Sequence, residues 1–140
     1  MTDTQIEDEL FGILKLDERF KTWHGQLSLD GRTLGLEVYA TLSGDIDPAM
    51  RQAFKNCQSK GFDYGLAAAA EMLDYYNANW NNDTPIDAET FANQLMLENV
   101  VVERSGTVTL WYNDGDLFGG HVVFVEINAE GVVTRAEIAG

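Results

Sequence analysis

The hydrophobic period of this chain changes twice, from two to about 3.6 and back to two, and few architectures accommodate that order. From Phe11 to Leu42, FGILKL, WHGQLSL and TLGLEVYATL read as strands, with Trp23, Gly25, Leu27 and Leu29 alternating against polar residues. Asp30 and Gly31 supply the turn between the last two, because a tight hairpin needs positive φ. From Leu97 onward the alternation returns in LENVVVER, TVTLWYN, HVVFVEI and VVTRAEIA. Ser105 and Gly106 read as a two-residue hairpin loop, and NAEG as a longer one.

The middle is helical and well punctuated. Asp47 before Pro48 is an N-cap followed by proline at the first helical position, and Gly61 is the stop of a helix running to about Lys60. A second helix places Phe62, Leu66, Ala69, Leu73, Tyr76 and Trp80 on one face, which is expected to be buried, with Asp63, Glu71 and Asp74 solvated. After NWNNDTP, Asp87 caps a short third helix, with Ile86 and Phe91 at the positions of a hydrophobic staple.

The expected fold class is α+β in one domain spanning residues 1–140. An antiparallel sheet built from an N-terminal three-strand and a C-terminal four-strand meander carries the three central helices on one face. At 140 residues and 45% apolar composition, one core is sufficient and disorder is not indicated.

Charge narrows the function classes. Twenty-three acids against nine bases give a net charge of −14, which repels a phosphate backbone and argues against nucleic acid. The same field favours a basic protein partner. No run of 18 apolar residues exists, so no membrane partner is expected. The opening MTDTQIEDELFG carries acids where a secretory leader carries bases, and a cytoplasmic location is the expectation. The single cysteine, Cys57, lies inside the first helix without a neighbouring base and reads as packing.

Chemistry concentrates in WYNDGDLFGGH, Trp111 to His121, between two strong strands. Asp114, Asp116 and His121 are the residue types that bind a divalent metal or act as acid and base. NDG and GG are equally turn chemistry, in which aspartates bond their own backbone, and the spacing fails the calcium-loop pattern. The turn reading is preferred, so no metal, cofactor or catalytic residue is expected. His24 turns away from the Trp23 face and would meet His121 only if the two meanders paired in a suitable register. Of the aromatics, Tyr76 and Trp80 belong to the core stripe, which leaves Tyr75 and Trp111 as surface candidates. Walker, dinucleotide, GxSxG and HExxH patterns are absent.

The ending WYNDGDLFGGHVVFVEINAEGVVTRAEIAG and the opening FGILKLDERFKTWHGQLSL resemble a bacterial family catalogued as domain of unknown function 2262. The resemblance implies no activity. By analogy with small acidic proteins encoded beside bacterial toxins, the expected role is a non-enzymatic protein-binding module. It would be an immunity-type or accessory protein taking a basic, toxin-like partner through an acidic surface. Its candidate binding residues are Trp111, Asp114, Asp116, His121 and Tyr75. The alternative is a metal-dependent enzyme or small-molecule binder centred on the Asp114, Asp116 and His121 loop.

Overall fold

A computed structural model describes residues 4–139; part of the acidic opening segment, residues 1–3, and the final glycine lie outside that range. Eight strands form one sheet in which spatial order equals chain order: β1 Gln5–Asp8, β2 Gly12–Asp17, β3 Thr22–Leu29, β4 Arg32–Tyr39, β5 Met96–Val102, β6 Val108–Asn113, β7 Val122–Ile127 and β8 Val133–Ala139. Three helices, α1 Pro48–Ser59, α2 Gly65–Asn79 and α3 Ala88–Gln94, stand between β4 and β5. Every ladder is antiparallel except β4–β5, which runs parallel from Gly35↔Asn99 to Val38↔Val102 because the helices carry the chain back across the sheet.

The first meander has four strands, not three. Gln5–Asp8 pairs with Gly12–Lys15 in a hairpin that carries too few apolar residues to announce itself. Its turn is held by Asp8, whose Oδ1 accepts the N–H of Leu10 and of Phe11, while Arg51 of α1 grips both carboxylate oxygens at 2.9 and 2.7 Å. The Arg51 hydrogen bond, helped by those two N–H groups and opposed by burial, holds the Asp8 carboxyl down to about 2. The ion pair's stabilisation is therefore complete above the unfolded carboxyl value near 4 and disappears as pH falls through about 2. Because Arg51 is partly exposed, screening limits this to about 1–2 kcal/mol. Acid titration of unfolding should show that loss between about pH 4 and 2 in the native chain, and a flatter profile in Asp8→Asn.

The caps match the sequence reading. Asp47 accepts the Ala49 N–H, and α1 closes with Phe62 N–H on Cys57 O and Gly61 N–H on Gln58 O, the paired bonds of a Schellman ending. Asp87 accepts the Thr90 N–H; Phe91, at the staple position, is fully buried, and Ile86 is partly buried against the same core. Asp30 and Gly31 turn with φ of 49° and 78°. The β5–β6 connection, residues 103–107, has a three-residue tip, Arg104 to Gly106, and not a two-residue loop. Glu103 and Thr107 close it, and Gly106 supplies the left-handed position.

The buried face of α2 is rotated from the expected stripe. Gly65, Ala68, Ala69 and Met72 are buried, Leu66 is 59% exposed, and Phe62 precedes the helix. α3 comes closest at the first turn, where a Cβ on Gly65 would lie 3.0 Å from the Ala92 Cβ, so that position has no room for a side chain. Leu73, Tyr76 and Trp80 pack at the margin of the core, and Asp63, Glu71 and Asp74 are exposed as expected. Met72→Ala should cost about 2–5 kcal/mol and Leu66→Ala close to nothing, read by denaturant midpoint.

One core cluster joins the inward strand residues Leu14, Leu36, Val38, Val100, Val102, Leu110, Val123 and Val125 to Met50, Phe54 and Cys57 of α1, Met72 of α2 and Phe91 of α3. α1 packs against β5 and β6, and α2 against α3 and β8. Among the described residues no helix is long and apolar enough to cross a membrane.

Candidate functional site

The Asp114–His121 loop is built around one carboxylate. Asp114 is almost fully buried; its Oδ1 accepts the Asp116 N–H at 2.9 Å, and its Oδ2 accepts those of Phe118, Gly120 and His121 at 3.0–3.1 Å. Such convergence needs backbone that curls left-handed, and Gly115, Asp116, Gly119 and Gly120 all have positive φ. At Gly115 a second reason applies, because a Cβ there would lie 2.3 Å from Gln94 O at the end of α3.

The loop also drives Phe118 into the helices. Its ring meets Tyr76, Trp80 and Phe91 edge-on, with centroids 5.4–6.2 Å apart. His121 closes the arrangement: Nδ1 lies 2.6 Å from Phe118 O, where an Nδ1–H donates to the carbonyl, and the ring packs edge-on to Trp80 at 5.8 Å. Asp114 and His121 thus serve the loop's own geometry, while Asp116 is exposed. Among the described residues no group of three or more His, Cys, Asp or Glu could hold a metal ion. His24 lies elsewhere, on β3, with Nδ1 3.9 Å from Glu37 Oε1. Cys57 is completely buried, and burial pushes its thiol up, away from nucleophilic use.

The other candidates separate from the loop. Tyr75 of α2 is half exposed and lines a groove with Glu71, Met72, Glu137 and Ile138. Trp111 precedes the loop on β6, but its neighbours Leu110 and Tyr112 face the core, so alternation sends Trp111 to the outer face of the sheet. There it packs against Phe124 at 5.3 Å.

Around Trp111 the outer face forms a shallow hollow of about 310 Å³ that sequence reasoning did not anticipate. Tyr39, Val101, Thr109 and Phe124 supply the floor with Trp111, and Glu37, Glu103 and Glu126 supply the rim. These residues come from β4, β5, β6, β7 and the β5–β6 connection, and lateral order is what a single sequence does not display. Glu103 is oriented by the Thr109 hydroxyl, which donates to its Oε2 at 3.1 Å. Arg135 of β8 lies over the Phe124 ring at 5.0 Å, pairs with Glu126 at 3.6 Å and bonds Glu137. An aromatic floor inside a carboxylate rim attracts cations by charge and ring quadrupole together, and Arg135 displays that chemistry within the chain itself.

No curated protein and no solved structure matches the chain. A family described as "Uncharacterized protein conserved in bacteria (DUF2262)" matches residues 8–138, and the chain belongs to that family.

Proposed function

We propose that this protein is a non-enzymatic binding module that takes a basic protein on the outer face of its sheet, in an immunity-type or accessory role. The observation that carries the reading is the hollow at Trp111, where Glu37, Glu103 and Glu126 rim an aromatic floor. We infer that all three helices lie on the core side of the sheet, which leaves the outer face free for a partner. The −14 net charge adds long-range attraction for a cationic surface. The competing reading, chemistry at the Asp114–His121 loop, draws little support from its geometry, because the Asp114 carboxylate already accepts four N–H groups.

Affinity capture from the source cell at low salt should enrich one basic protein. Its association rate should fall about tenfold or more between low and physiological ionic strength. Trp111→Ala should lose that partner, whereas Asp116→Asn should retain it. A partner that is neutral and insensitive to salt, or one lost with Asp116→Asn and kept with Trp111→Ala, would sink the proposal.

A further inference from the structure

Residues that share a rung of a sheet sit at fixed spacing, and one rung on the outer face crosses all eight strands, starting from Gln5 of β1. From there it runs Lys15, His24, Glu37, Val101, Thr109, Glu126 and Arg135 from β2 to β8. Read as charge, the two acids flank an uncharged centre, Val101 and Thr109, and each acid is backed on its outer side by a basic residue type. Glu37 and Glu126 stand three strands apart, and at about 4.8 Å per strand that is roughly 14 Å. One guanidinium cannot bridge them. An extended chain rises about 3.3 Å per residue, so side chains at positions i and i+4 lie on one face about 13 Å apart, with i+2 between them.

On this basis, and resting on the binding reading above, we propose that the outer face recognises an extended basic segment laid across the strands. Its cations stand at i and i+4, and an apolar residue stands at i+2. The first cation meets Glu37, the second meets Glu126, and the apolar side chain rests over Val101 and Trp111. Arginine is favoured over lysine because Arg135 already stacks on Phe124 while pairing with Glu126, which is the contact the second cation would extend. Charge complementarity selects the segment, and rung spacing selects its pattern.

The test uses two end-blocked peptides of identical composition, Arg-Thr-Leu-Thr-Arg and Arg-Arg-Thr-Leu-Thr, titrated into the full chain while the three tryptophan indole N–H signals are followed by NMR. The spaced peptide should shift the Trp111 signal, leave Trp23 and Trp80 in place, and bind about fivefold more tightly than its isomer. Glu37→Gln and Glu126→Gln should each remove that preference, and Asp74→Asn on α2 should leave it unchanged. Equal binding of the two peptides, a response at Trp80 instead of Trp111, or indifference to both glutamine variants would overturn the proposal. If the peptides show no preference while Trp111→Ala still loses the captured partner, the spacing rule falls and the outer-face reading stands. If Trp111→Ala keeps the partner as well, both fall together.

Discussion

Replacing Asp114 with alanine is expected to lower the stability of the protein by about 3–5 kcal/mol. Four backbone N–H groups lose their acceptor together, and each buried donor left unpaired costs about 1–3 kcal/mol, partly relieved where water can enter. Asp114→Asn keeps one oxygen acceptor, which can turn to the position that receives three donors and leave the NH₂ against the Asp116 N–H alone, so it should recover more than half of the loss. Chemical denaturation of the two variants gives the comparison. Near-native stability in Asp114→Ala would mean that the loop holds its shape without the carboxylate.

Phe118→Ala should cost a similar amount, about 3–5 kcal/mol, by a different route. The ring is fully buried among Tyr76, Trp80 and Phe91, and its removal leaves a cavity between the loop and the helices that their rigid rings cannot collapse to fill. The near-ultraviolet circular dichroism of Trp80 should weaken, because that indole loses one edge-on neighbour and its contact with His121 loosens. Leu66→Ala is the control, a comparably large apolar side chain on a helix surface where no cavity forms. The Asp114 and Phe118 losses should not add in the double variant, since both residues hold the same loop.

Where the sequence was informative, local physics explains why. Asp47, Gly61, Asp87 and the Asp30–Gly31 turn act within a few residues of themselves, so their roles are visible without any knowledge of distant partners. The α2 stripe failed at the next level. Spacing by three and four admits two adjacent faces, and apolar size pointed to Leu66, whereas the buried face holds Gly65, pressed against Ala92, and Ala68. β1 escaped notice because four residues with two acids carry no periodic signal, and Arg51, which anchors its turn, lies 43 residues away from Asp8. The loop was readable as turn chemistry. That Asp114 gathers donors from as far as His121, and that Phe118 plugs an aromatic cluster, depends on how the loop meets α2 and α3. Trp111 was named as a surface aromatic, but its neighbours are brought together by lateral strand order.

The single parallel ladder, Gly35–Val38 against Asn99–Val102, is the seam between two otherwise consecutive meanders. During synthesis β1 to β4 leave the ribosome first, and β4 then presents an unpaired backbone with Leu34, Leu36 and Val38 beside it until Val102 has been made. The intervening chain supplies α1, α2 and α3 and no strand, so in the finished sheet β5 is what covers that edge. A second nascent copy offers the same missing β5, so the exposed seam is where chains would exchange their C-terminal halves. Crowded translation of this protein therefore carries a risk of interlocked dimers, set by the delay between making the two sides of the seam.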